Sequence, residues 1–288
     1  MWIHRADPSC GSFRPIDSRG PAGVDLSMTP ITAAPGAPDA RKAPQAVKTA
    51  AAVLVGNELL SGKVQERNLE PLAAMLRALG IRLERVVMVG DDRAAIAAEV
   101  RAASERHDVV FTSGGVGPTH DDVTLEGVAD GFGVKTEIHP HLASLLVALY
   151  GERCTEDHLL MARVPVGSEL RSSPEVTWPT VVMRNVWVLP GVPELFRMKL
   201  SIVREHLRGP GSILSRALFT LLDETDLKPL LDRAVAHHPR VEIGSYPKWF
   251  DPTYKTKVTF DGEAEADVDA ALAELVGLLP AGALVRHG

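Results

Sequence analysis

An α/β fold with a mainly parallel sheet is predicted by three features of the chain. Short apolar runs alternate with segments of helical periodicity over residues 49–131. A glycine-rich turn directly follows one of those runs, and a Pro-Gly turn follows a later one. Such alternation places helices on both faces of a parallel sheet and gathers the turns where ligands bind.

The elements follow in order. Residues 1–47 are rich in Pro, Gly, Ser and Ala, and Pro30, Pro35, Pro38 and Pro44 preclude a long helix. A disordered tail is expected there, with Met28 a candidate start. Thr49–Val55 reads as a buried strand, running into Gly56-Asn57-Glu58-Leu59-Leu60-Ser61-Gly62. A polar pair after a buried strand makes Glu58 a candidate site carboxylate or a solvated loop acid. Asn68–Leu79 carries Leu69, Leu72, Ala73, Leu76 and Leu79 on one helical face, and Gly80 stops it. Arg82–Val89 reads as a strand, Gly90-Asp91-Asp92 as a turn and cap, and Arg93–Arg106 as a helix.

Asp108–Phe111 is the next strand, and the stretch after it organises the chain: Thr112-Ser113-Gly114-Gly115-Val116-Gly117-Pro118-Thr119-His120-Asp121-Asp122. Three glycines in four residues let backbone N–H groups converge on one concavity, which suits an anion, usually phosphate. Val123, Leu125, Val128 and Ala129 then continue at helical spacing. Asp121 and Asp122 admit two readings. As first-turn acids behind a Thr119 N-cap they satisfy the helix dipole. Beside a phosphate they would repel it unless a cation or proton sits between, which points to a metal-assisted phosphate site.

Beyond Gly133, His139-Pro140-His141 opens an apolar helix, Leu142–Tyr150; the two histidines either mark the helix start or ligate a metal. Val181–Val186 and Trp187–Leu189 read as strands. Leu189-Pro190-Gly191-Val192-Pro193-Glu194-Leu195 is a second strand, turn and helix start, with the helix continuing to about Leu207. It faces the same ligand edge, or is an ordinary turn with Pro193 at the first helical position. Gly209-Pro210-Gly211 reads as a domain boundary. The remainder gives a strand at Ala217–Leu222, a helix capped by Asp223, strands at Val241–Tyr246 and Tyr254–Phe260, a helix at Ala264–Leu279 and a last strand at Ala283–Val285. This β-α-β-β-α-β order is the ferredoxin-like α+β pattern.

Composition excludes several classes. A net charge of −6 without a Lys/Arg run argues against a nucleic-acid surface. Cys10 and Cys154 alone make no disulfide framework and suit a reduced, cytoplasmic setting. No apolar run approaches the ~18 residues of a membrane span.

Gly56–Gly62, Ser113–Asp122 and Leu189–Glu194 together resemble the three signatures of the CinA-like branch (the N-terminal domain of competence/damage-inducible protein A) of the MoaB/Mog molybdopterin-binding superfamily. Met161-Ala162-Arg163-Val164-Pro165, Trp178-Pro179 and Gly244-Ser245-Tyr246-Pro247 resemble the version fused to eukaryotic FAD synthase. The resemblance implies a three-layer α/β/α MoaB/Mog domain over 48–208 and a small domain over 212–286. Superfamily members bind or adenylylate molybdopterin. This branch is linked to hydrolysis of the pyrophosphate in ADP-ribose or FAD, with a divalent metal (Mg, Mn or Co) and potassium. By motif match, Ser113, Gly114, Gly115, Gly117, Pro118 and Thr119 would meet the phosphate. Asp121 and Glu58 would hold the metal, and Asp122 would orient or deprotonate water. Gly56, Asn57, Pro190, Gly191, Pro193 and Glu194 would complete the ligand edge. Asn57 departs from the family, where Asp is common. Neither the amidohydrolase domain of full-length CinA nor an FAD synthase domain follows, so neither nicotinamide nucleotide deamidation nor FAD synthesis is expected. The expectation is thus a metal-dependent nucleotide pyrophosphatase, with a molybdopterin-binding or adenylyl-transfer module and a non-catalytic scaffold as alternatives. A homo-oligomer with a small-molecule nucleotide or pterin partner is implied.

Overall fold

The computed structural model describes residues 44–211, 213–250 and 252–288. The expected tail up to residue 43, Met28 and Cys10 lie outside the described residues. The chain is followed from residue 44 on. β1 (Gln45–Ala46) precedes β2 (Thr49–Val55), α1 (Asn57–Leu60), α2 (Leu69–Ala78), β3 (Arg82–Val89), α3 (Arg93–Arg106) and β4 (Val109–Ser113). Next come α4 (Thr124–Gly131), β5 (Thr136–Ile138), α5 (Pro140–Tyr150), α6 (Glu156–Leu160) and β6 (Arg163–Pro165). β7 (Glu169–Ser173), β8 (Val176–Met183), β9 (Val186–Leu189), α7 (Pro193–His206) and β10 (Leu207–Arg208) follow.

Six of these strands form a sheet in the order β3-β2-β4-β9-β8-β7, while β1 pairs with β10 and β5 with β6. β3, β2, β4 and β9 are mutually parallel, and β8 and β7 continue antiparallel. Alternation along β2 divides its side chains between two cores. Ala51, Val53 and Val55 pack with Ile96 and Val100 of α3, Val128 of α4 and Leu142 and Leu146 of α5. Ala50, Ala52 and Leu54 pack with Leu72 and Leu76 of α2 and Phe196 and Leu200 of α7. This is the three-layer α/β/α arrangement. Small residues on β2 let both helical layers sit close. Gly127 carries the same logic on α4, where a Cβ would fall 2.6 Å from Ile96 Cγ2.

Three sequence-based expectations are corrected. Gln45 and Ala46, placed in the tail, pair in parallel with Leu207 and Arg208, and Val47 is buried. A two-residue strand leaves no periodic trace. Val181–Val186 is not one strand: β8 ends at Met183, Arg184-Asn185 turn the chain, and β9 begins at Val186. The helix after the glycine loop starts at Thr124, five residues beyond Thr119. His139 is the N-cap of α5, its Nδ1 accepting from the His141 amide at 3.2 Å, which makes the pair a helix start. Asp92 caps α3 through the Ala95 amide at 2.7 Å.

The second sheet contains β11 (Leu214–Thr220), β12 (Glu242–Pro247), β13 (Thr256–Gly262) and β14 (Leu284–His287), with α8 (Glu224–His237) and α9 (Glu265–Leu278). Its order is β12-β13-β11-β14 with every pair antiparallel. Both helices lie over one face and enclose a separate core of Leu218, Leu227, Val258, Phe260, Val268 and Leu275. This is the ferredoxin-like topology. Arg77 of α2 forms an ion pair with Asp261 of β13, and the Gly209 amide donates to Leu79 O at 2.7 Å. Among the described residues no helix is long and apolar enough to cross a membrane.

Candidate functional site

Parallel pairing sets the site. Val55 lies opposite Val89, Leu54 opposite Ser113, and Ser113 opposite Leu189, so four strands end level at their carboxyl edge. β2 connects outward to β3, and β4 leads the other way toward β9. The crevice between β2 and β4 is therefore the switch point at which open α/β sheets bind ligands.

Backbones close in tightly there. Gly114 has φ +101°, and a Cβ on it would fall 2.2 Å from Val55 O. A Cβ on Gly191 would stand 3.1 Å from Gly114 Cα. Only glycine lets these three turns touch. Asn68, at the N-cap position of α2 and 5% exposed, binds two of them. Its Nδ2 donates to Ser113 Oγ at 3.0 Å and to Gly191 O at 2.8 Å. Its Oδ1 is buried without a hydrogen-bond partner in the structure. The Ser113 hydroxyl is spent inside the protein, donating to Pro190 O at 3.3 Å. Thr124 closes the loop's far end, its Oγ1 donating to Gly114 O at 2.8 Å and its amide to Gly115 O at 3.0 Å.

The acidic turn shows why α4 begins late. Asp122 Oδ2 accepts from the Thr119 amide at 3.0 Å and from the Thr119 hydroxyl, while the Asp122 amide donates to Thr119 O at 3.1 Å. Thr119 and Asp122 thus close a turn of their own in place of a helix cap. Gly117 packs beside it, where a Cβ would meet Asp122 Oδ2 at 2.7 Å and displace that carboxylate. Asp121 projects from this turn and is exposed, as are Pro118 and His120. The Thr119 side chain, the loop amide and the His120 charge hold the Asp121 carboxyl below the usual carboxylate range.

The first loop is braced against the loop after β3. The Asn57 amide donates to Asp91 Oδ2 at 2.8 Å, and the Asp91 amide donates to Asn57 Oδ1 at 3.4 Å. The Gly56 amide donates to Val89 O at 3.0 Å. Glu58 folds back over Gly56, where a Cβ would lie 2.5 Å from its Oε1, and remains exposed. Pro193 occupies the first turn of α7, with Glu194 exposed beside it. All the sequence-predicted site residues therefore lie in the three loops at this edge. Ser113 and Asp122 are partly committed to holding those loops.

Among the described residues no three His, Cys, Asp or Glu side chains stand close enough to share a metal ion. The donor set does not build a closed cage for a resident ion. It suits an ion that arrives with phosphate oxygens and needs only one or two carboxylates.

A cavity of about 350 Å³ opens against the glycine loop, walled by Gly117–His120, by Leu125 and Glu126 of α4, and by Met161 and Arg163. Arg93 also borders it and is bound by both carboxylate oxygens of Asp130, at 2.6 Å for Nη2 to Oδ1. Sequence reasoning did not single out Asn68 or Arg93 for the site, and Arg163 entered only through a motif likeness. No local pattern marks them, because they meet the loops from other elements.

The class is now defined: an α/β domain with a glycine loop and an acidic turn at the carboxyl edge of a parallel sheet, followed by a ferredoxin-like domain. The chain belongs to the family described as "Probable molybdopterin binding domain", whose model matches residues 51–208, and residues 212–288 match the "FAD synthase, middle domain". It is 33% identical to a "Probable FAD synthase" of Caenorhabditis elegans over 83% of this chain and 51% of that protein. It is 37% identical to a "CinA-like protein" of Myxococcus xanthus over 76% of this chain and 55% of that one. The chain thus spans about half the length of these relatives. The crystal structure of the protein CinA, of unknown function, from Thermoplasma acidophilum aligns with a TM-score of 0.51 and 32% identity, over 55% of this chain and 97% of that one.

Proposed function

We propose that the chain hydrolyses the diphosphate linkage of a nucleotide of the ADP-ribose or FAD type, taken up as its complex with a divalent metal. The observation that carries this reading is the glycine loop at the switch point with Asp121 exposed and ionised beside it. Backbone N–H groups of Gly115–Gly117 would meet the phosphates, that of Gly114 being given to Leu189 O at 3.3 Å, and Thr119 and Asp122 fix the loop's shape. A divalent cation (Mg, Mn or Co) supplies charge neutralisation and a more acidic water when bound. Asp121 and Glu58 are the carboxylates free to meet it, and the remaining oxygen of Asp122 is available to orient the water. Potassium is a further candidate requirement. In the reaction a water oxygen bonds to one phosphorus and the bridging P–O bond breaks. One proton is lost to the base, and two phosphomonoesters result.

A second reading follows from the family description: the same edge holds a pterin phosphate, for binding or adenylyl transfer. A turnover panel of ADP-ribose, FAD, NAD and molybdopterin with Mg, Mn and Co separates the two. Metal-dependent release of AMP from ADP-ribose or FAD is expected. Molybdopterin binding with no hydrolysis of any dinucleotide overturns the first reading in favour of the second. The same reading takes the chain as a homo-oligomer, and light scattering at micromolar concentration that returns 31.0 kDa would refute that part.

A further inference from the structure

The wall of the cavity opposite the glycine loop is formed by Leu160, Met161 and Arg163, where α6 gives way to β6. Neither Asn57 nor Glu58 lines this cavity. Its two arginines differ. Arg93 is neutralised by Asp130, whereas no carboxylate among the described residues pairs with Arg163. Leu160 is 45% exposed, an apolar side chain left at the mouth of a polar loop. The wall is therefore an apolar and thioether surface with one uncommitted planar guanidinium. At about 350 Å³ the space suits one ring system with its sugar and not a whole dinucleotide.

We infer that this wall is the seat of the heteroaromatic base of a nucleotide whose phosphate rests on the glycine loop. The ring lies against Met161 and Leu160, contacts that a polarizable thioether and a branched alkyl chain favour. Arg163 stacks on the ring, which a planar guanidinium does and an ammonium does not. The inference rests on the glycine loop being the phosphate cradle, but not on hydrolysis taking place. It makes Arg163 and Met161 the residues that distinguish a nucleotide from a bare diphosphate.

The test is calorimetric titration of the full chain with ADP-ribose and with inorganic pyrophosphate, both with Mg. Wild type should prefer ADP-ribose. Arg163→Met and Met161→Ala should each shrink that preference, Arg163→Met by about tenfold or more. Arg163→Lys should recover little of it, because the charge returns without the plane. Circular dichroism checks the fold; if Arg163→Met does not fold, Met161→Ala decides by the same ratio. An unchanged ratio in the folded variants overturns the inference, as does a wild type that binds pyrophosphate as tightly as ADP-ribose. A wild type that prefers ADP-ribose but never cleaves it, with the preference lost in the variants, supports the seat while retiring the hydrolase reading.

Discussion

Asp121 stands exposed on its turn while Asp122 Oδ2 is held by Thr119, so substitutions at the two positions should separate. Asp121→Asn should leave the melting temperature nearly unchanged and slow metal-dependent turnover by about a hundred- to a thousandfold, as for removal of one electrostatic group. A small drop in melting temperature with an intact rate would return Asp121 to a surface acid. Gly114→Ala tests the loop's geometry: the new Cβ meets Val55 O at 2.2 Å in a left-handed conformation. It should cost about 1–3 kcal/mol or more, read by chemical denaturation. Lys199 tests burial. The residue is 8% exposed, its ammonium donates to Trp178 O and to Pro179 O at 2.7 Å, and burial lowers its pKa from 10.5 to about 8. The unfolded chain then holds this proton more tightly than the folded one. Stability should rise between about pH 8 and pH 10.5, by at most about 3 kcal/mol. Lys199→Met should remove that rise relative to wild type, and parallel pH profiles for the two would count against it.

Elements were legible where one local rule governed them. β2, β3 and α3 begin and end where apolar runs and the Asp92 cap place them. The start of α4 stayed open between two readings because Asp121 and Asp122 look like first-turn acids behind a Thr119 cap, and the folded turn rules that cap out by showing Thr119 bonded to Asp122. β5, β6 and β7 are three to five residues long and mixed in polarity. Most of β8 was missed because it contains Pro179, which argues against a central strand. The structure tolerates it there: Pro179 lies outside the stretch paired with β9, and its carbonyl accepts from Lys199. The site's loops were readable, but the residue binding them was not: Asn68 reads as a helix start and proves to be a buried amide. Asn68→Ala should destabilise by about 1–3 kcal/mol, since buried partners at Ser113 and Gly191 lose their bonds. An unchanged unfolding midpoint would deny it that role.

At the scale of the molecule, the family models meet near residues 208–212, and the cores on either side share no residues. The β-α-β-β-α-β order of the last part was legible because its two helices run 14 residues each and the first is capped by Asp223. Phe260 is fully buried in the ferredoxin-like core. Phe260→Ala should cost that core about 3–5 kcal/mol. It should melt before the six-stranded sheet, with ADP-ribose binding measured below the first transition retained. A single transition shifted as a whole would mean that the Arg77–Asp261 contact and the Gly209 bond couple the two cores fully.

The Asn68 amide has a consequence for how the ligand edge breathes. One side chain at the start of α2 holds the turn after β4 and the turn after β9, and Gly114 touches the end of β2. Opening any one of these turns must break bonds shared with the others. Deuterium uptake at Gly114 and at Phe196, whose amide donates to Val192 O, should therefore slow together when a phosphate ligand occupies only the glycine loop.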